Sequence, residues 1–132
     1  YEPLAQSESH KKITVRHLLN MSSGLSAEEG YESGPLKSSV IAMLYTRGRK
    51  DMGKFCSDLP LRSEPGTHVY YSSCDTNILS AILKNIYPEN EYKELPFQKL
   101  FAPLGITQAT FERDGSGTFV GSSYLYLTAR DL

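Results

Sequence analysis

Apolar positions in this chain recur mostly at helical spacing, and the strongest run is 75–87. There Ile78, Leu79, Ile82, Leu83 and Ile86 follow an i, i+1, i+4, i+5, i+8 pattern, which predicts one continuous buried stripe. Asp75 and Thr76 suit its N-terminus, and Pro88 bars its continuation. Earlier, Thr14 is placed to cap a short helix through Met21 with Val15, Leu18 and Leu19 on one face. Ser22, Ser23 and Gly24 stop it, Gly24 being suited to a left-handed C-cap. Leu36, Val40, Met43 and Leu44 predict a second helix ended by Gly48, and a short one fits 51–57. A further helix is expected over 91–102, kinked or started at Pro96, with Phe97, Leu100 and Phe101 inward. Residues 109–113 and 118–121 read as two short strands around the Asp114-Gly115-Ser116-Gly117 turn. Thr128 reads as the cap of a last helix cut off after Leu132, and residues 1–12 as an extended polar arm. The fold class expected is mainly α with minor β, organised as one unit over 1–132.

Composition narrows the functional classes. The 14 Lys+Arg and 15 Asp+Glu give a net charge of −1, so no electrostatic case exists for nucleic acid or an anionic membrane as partner. No apolar run approaches the ~20 residues of a membrane span. The chain opens on Tyr1 rather than Met, so a trimmed start is expected. Counting Gly but not Tyr, 53 of the 132 residues are apolar, below the roughly 45–50% of an average domain. That suits a piece resting against a larger body. His10, His17 and His68 are far apart and neither cysteine belongs to a CxxC, so no metal site is expected. Cys56 and Cys74 read as two structural thiols, with a bridge open only in an oxidising compartment.

Three segments have residue orders that go beyond helix and loop punctuation. They are Ile13-Thr14-Val15-Arg16-His17-Leu18-Leu19-Asn20-Met21-Ser22-Ser23-Gly24-Leu25, then Pro65-Gly66-Thr67-His68-Val69-Tyr70-Tyr71-Ser72-Ser73-Cys74-Asp75-Thr76, then Leu100-Phe101-Ala102-Pro103-Leu104-Gly105-Ile106 with Gly121-Ser122-Ser123-Tyr124 and Thr128-Ala129-Arg130-Asp131-Leu132. In this order they resemble the superfamily of class C β-lactamases, esterases and DD-peptidases, closest to its 6-aminohexanoate-dimer hydrolase branch. The resemblance covers about Ile13 to Leu132 and implies the helical subdomain of the α/β β-lactamase/DD-peptidase-like fold.

It also implies chemistry: a serine hydrolase acting on an amide, ester or lactam carbonyl through an acyl-enzyme, with no metal or organic cofactor. By resemblance, Tyr71 is the tyrosine that exchanges a proton with the nucleophilic serine and the leaving group. Pro65, Gly66 and Thr67 form a rigid turn that aims it just before the predicted 75–87 helix, whose N-terminal partial charge favours an anion. A free phenol titrates near 10, but a neighbouring ammonium and a helix terminus make its anion accessible as a base. Ser73 stands where many relatives carry Asn, which keeps a donor and an acceptor but shortens the reach. That favours the esterase or amide-hydrolase branch over β-lactam recognition. Ser122, Ser123 and Tyr124 correspond to a region bordering the acyl side of the pocket and are candidate substrate contacts.

The family's nucleophile lies in a Ser-x-x-Lys opening an apolar helix. The literal match Ser9-His10-Lys11-Lys12 sits in the polar arm and reads as coincidence. The nucleophile and a Lys-Thr-Gly-type strand are therefore expected in a remainder of the hydrolase domain outside 1–132. Relatives are often periplasmic or secreted, and the hydrolase branch also has cytoplasmic members, so the resemblance leaves the location open. The competing reading is a non-catalytic helical module of the same fold that binds a peptide, a cell-wall fragment or a protein.

Overall fold

The computed structural model describes residues 1–33 and 37–132. Five α-helices are described: α1 (Val15–Leu19), α2 (Ser39–Tyr45), α3 (Met52–Ser57), α4 (Ser73–Ile86) and α5 (Glu89–Pro96). Among the described residues one antiparallel pair, β1 (Ala109–Phe111) and β2 (Leu125–Leu127), registers Ala109 on Leu127 and Phe111 on Leu125. The chain is mainly helical, as the spacing predicts.

Local capping chemistry sets most helix starts. Thr14 Oγ1 accepts from His17 N at 3.2 Å and His17 Nδ1 accepts from Thr14 N at 3.4 Å, a reciprocal capping box that opens α1. His17 is thus satisfied locally. The helix is shorter than expected, because Met21 takes φ +54 and turns the chain before Gly24 does. Gly24, at φ +79, is left-handed but lies in the following loop, where a Cβ would stand 2.3 Å from the Ser63 carbonyl oxygen. Of the predicted apolar face only Leu18 is buried, while Val15 and Leu19 are exposed. Ser38 caps α2 and Asp51 caps α3 through Lys54 N at 2.8 Å. Leu36, expected to begin the second helix, lies outside the described residues.

Helix α4 is the centre of the molecule. It begins two residues earlier than predicted, because Ser72 Oγ rather than Asp75 is the cap, accepting from Asp75 N at 3.0 Å. Its buried face is Cys74, Asn77, Ile78 and Ala81, which packs on α1 and α3. The predicted stripe is only half realised. Ile78 is fully buried, Leu79 and Ile82 are half-buried, and Leu83 and Ile86 are exposed. The contact with α3 is very close, since a Cβ on Gly53 would lie 2.5 Å from Ala81 Cβ. Cys56 of α3 and Cys74 of α4 are joined by a disulfide with Cα atoms 5.2 Å apart, so the expected free thiols are bridged. Both are buried beside Met43 and Ile78.

The N-terminal residues are not an extended arm. They fold into 3₁₀ turns at Glu2–Gln6 and His10–Lys12, with Leu4 buried in the core and His10 Nε2 2.8 Å from the Leu59 carbonyl. Burial, followed by the nearby Asp51, pushes the Tyr1 phenol up to about 12. Beyond α5 the helix widens into a π-helical turn at Phe97–Phe101 after Pro96, with Phe101 buried and Leu100 exposed, contrary to the inward expectation. Residues 114–117 form the predicted turn, closed by Asp114 N donating to the Thr118 carbonyl at 2.8 Å. The predicted hairpin shrinks to an isolated Arg113–Phe119 bridge, because β1 takes 125–127 as its ladder partner. Residues 129–131 form a turn rather than a helix, with Thr128 Oγ1 donating to Asp131 Oδ2 at 2.7 Å.

Candidate active site

The three distinctive sequence segments converge on the N-terminal half of α4. From the first, Ser23 Oγ donates to Asp75 Oδ1 at 2.7 Å. Asp75 also accepts from Ser72 Oγ at 3.0 Å and is completely buried, and that burial raises its carboxyl above the usual range despite the hydroxyl donors. From the third, Ser122 Oγ lies 2.8 Å from Asn77 Nδ2, which also donates to the Ser73 carbonyl at 2.8 Å. Gly121 makes this approach feasible, because a Cβ there would sit 2.4 Å from Ser80 Oγ and 3.2 Å from the Thr76 carbonyl oxygen.

The loop carrying Tyr71 is held along its length. Gly66 N donates to the Ser22 carbonyl and Tyr70 N to the Met21 carbonyl, both at 2.8 Å. The positive φ of Gly66, +85, brings its Cα against the His17 ring, leaving 3.0 Å between a Cβ and Nε2. Arg62 lies 5.0 Å over the Tyr70 ring and donates to the Ala27 carbonyl at 2.8 Å and to Glu28 at 2.7 Å. Tyr71 comes immediately before the Ser72 cap and is 76% exposed.

Ser73 has a partner that the sequence did not suggest. Glu29 accepts from Ser73 N at 2.7 Å with Oε1 and from Ser73 Oγ at 2.8 Å with Oε2. A carboxylate at the first turn of α4 is favoured by the helix's partial positive charge. No ion pair to Glu29 exists among the described residues. Ser73 itself is 8% exposed, with its hydroxyl proton committed to Glu29. Tyr71 and Ser73 therefore differ in character: one projects into solvent and the other is tied down.

The remaining candidates separate. Ser122 is engaged with α4, whereas Tyr124, at φ +65, lines a cleft of about 440 Å³ together with Leu44, Arg49, Arg113 and Asp114. Burial, then the neighbouring Tyr45 hydroxyl, holds the Tyr124 phenol above its ordinary value. Ser123 makes a turn to Val120 through its backbone N at 3.1 Å. Ser9 and Lys12 do not form a dyad: Ser9 Oγ lies 2.8 Å from Ser7 Oγ, while Lys12 pairs with Glu64 at 3.3 Å. No described helix is long and apolar enough to cross a membrane.

Compared with known families, residues 1–132 match the family model described as Beta-lactamase. No curated protein matches the chain.

Proposed function

Since the chain belongs to the beta-lactamase family, we propose that it is the helical subdomain of a serine hydrolase that cleaves an amide, ester or lactam carbonyl through an acyl-enzyme, with Tyr71 as the proton-transfer group. In this reading a serine from the remainder of the hydrolase domain attacks the carbonyl. The Tyr71 phenolate takes the serine proton and returns it to the leaving nitrogen or oxygen as the carbon–heteroatom bond breaks. Water then attacks the ester so formed and releases the acid. The observation that carries the reading is the contrast at the start of α4: an exposed Tyr71 hydroxyl on a loop pinned to residues 21–22, beside a cap whose other polar groups are already engaged. A base must reach its proton within hydrogen-bond distance, and a fixed backbone with a free side chain serves that requirement.

Ser73 takes a narrower part than a direct proton donor. With its proton given to Glu29, its oxygen lone pairs can only accept, so Ser73 suits an N–H or O–H of the substrate rather than a carbonyl oxygen. Ser122 and Ser123 contribute through the 121–124 loop that packs on α4, and Tyr124 lines the neighbouring cleft.

The test is Tyr71→Phe in the full-length natural protein, assayed on chromogenic esters and amides. Loss of kcat/KM by roughly 10² to 10⁴ is expected, the usual worth of a general base. Unchanged turnover would leave the family assignment standing and remove Tyr71 from the mechanism. The second reading, a non-catalytic binding module, draws on the engaged Ser73 hydroxyl. It is favoured if the full-length protein takes up no fluorophosphonate label by intact mass.

A further inference from the structure

Two large apolar residues that the sequence pattern places in the core, Leu83 and Leu100, are 44% and 52% exposed. They border one concavity of about 240 Å³, lined also by Leu95, Phe111 and Phe119. The aromatic wall is rigid. Phe111 and Phe119 stack with centroids 4.8 Å apart, and Phe119 contacts Tyr92 at 5.2 Å. The Tyr92 hydroxyl in the wall is already satisfied, accepting from Phe119 N at 2.9 Å and donating to the Ser80 carbonyl at 3.4 Å. A ligand here therefore meets mainly apolar surface, and the Tyr92 hydroxyl makes no further demand on it.

Charge distinguishes the rim. Lys99 is the only charged residue lining the cavity, it is exposed, and it has no ion pair among the described residues. Arg113 lies over the Phe119 ring at 5.8 Å, a second cation beside the same aromatic wall. The volume is slightly below the roughly 300–1,000 Å³ of sites for drug-sized molecules, which suits a slim chain better than a fused ring system.

We propose that this cavity, between α4 and the Pro96–Leu100 turn, binds an anionic amphiphile: a medium-chain carboxylate whose tail covers Leu83, Leu100 and Phe111 and whose head meets Lys99. Two other occupants would explain the same exposure, a second copy of the chain or another part of the natural protein. Neither accounts for a single free cation on an otherwise apolar rim. The site uses the C-terminal half of α4, whereas Tyr71 precedes that helix's N-terminus, and it does not depend on the role of Tyr71.

Calorimetric titration of the full-length natural protein with sodium hexanoate, sodium octanoate and 1-octanol tests this. One saturable equivalent of octanoate is expected, bound about fifteenfold more tightly than hexanoate, since each of its two extra buried CH₂ groups is worth roughly fourfold. Lys99→Glu should weaken octanoate at least tenfold and leave 1-octanol unchanged, while Leu100→Asp should weaken both. No saturable binding, equal affinity for the two acids, or indifference to Lys99→Glu overturns the proposal. Leu83→Asp separates the rivals: a dimer that it dissociates in sedimentation assigns the face to a second copy. A large loss of stability on Leu83→Asp assigns the face to the rest of the protein. Either result also overturns the proposal.

Discussion

Removing the Cys56–Cys74 bond tests the α3–α4 contact most directly. The two cysteines are 18 positions apart, and cross-linking a loop of that length restricts the unfolded chain by about 3 kcal/mol at 25 °C in the loop-entropy account. Both side chains are almost completely buried, so truncation also forfeits some packing. Cys56→Ala/Cys74→Ala should therefore destabilise the protein by at least about 3 kcal/mol. With a urea m-value of about 1–3 kcal/mol/M, that lowers the midpoint by about 1–3 M. The assay is urea unfolding of wild type, wild type plus reductant and the double variant, followed by circular dichroism. Reduced wild type should lose nearly as much as the variant, because the cross-link supplies most of the effect. Alkylation of denatured, unreduced protein should find neither cysteine reactive. Two alkylated thiols per chain, or a reductant effect below about 1 kcal/mol, would refute the reasoning. A bond that persists in protein taken directly from its source also favours a periplasmic or secreted location, since disulfides last in oxidising compartments.

Two further outcomes follow from named contacts. Asp75, with its folded carboxyl raised by burial, contributes stability that is full below the unfolded value near 3.9 and is lost as pH rises through the folded value. Asp75→Asn should remove that loss, so the stability change from pH 4 to pH 7 in urea titrations should be more favourable in the variant than in wild type, and parallel curves would discount Asp75. Gly53→Ala gains about 1 kcal/mol of helix propensity, but its Cβ would lie 2.5 Å from Ala81 Cβ, and overpacking of that kind costs about 1–3 kcal/mol. A net destabilisation by thermal melting is expected, and a more stable variant would mean the helices stand further apart.

What the sequence disclosed and what it withheld divide along a physical line. Thr14 was readable as a cap because its partner, His17 N, lies three residues away. The helix around Ile78 was readable for the same reason. Periodicity reveals which face of a helix is apolar, but not whether anything covers it. Hence Leu83, Ile86 and Leu100 read as core and are exposed. Non-local pairings were hidden too: nothing in 109–113 distinguishes 118–121 from 125–127 as the strand partner. The β1–β2 ladder depends on the Gly117 turn and the 121–124 loop together. Glu29 was invisible, since a glutamate between Glu28 and Gly30 in a loop carries no signal until α4 is brought against it. The disulfide needed that same packing of α3 on α4.

The same division bears on the site. A residue order such as Tyr71-Ser72-Ser73-Cys74-Asp75 can be distinctive because it does chemistry or because it builds the fold, and the side-chain partners separate the two roles. Ser72 caps α4, Asp75 anchors the 22–25 turn through Ser23, Cys74 is bridged, and Ser73 is held by Glu29. Each of those four groups has its principal interaction inside the chain. Tyr71 has no hydrogen bond among the described residues and stands 76% exposed. Its neighbours are all engaged, so its position is fixed at little further entropic cost. Tyr92, by contrast, buries its ring at 2% exposure. An exposed phenol on a fixed backbone is instead open to a group arriving from outside the chain, and that supports the acid–base role proposed for Tyr71. The roles of Ser72, Cys74 and Asp75 are those of scaffold.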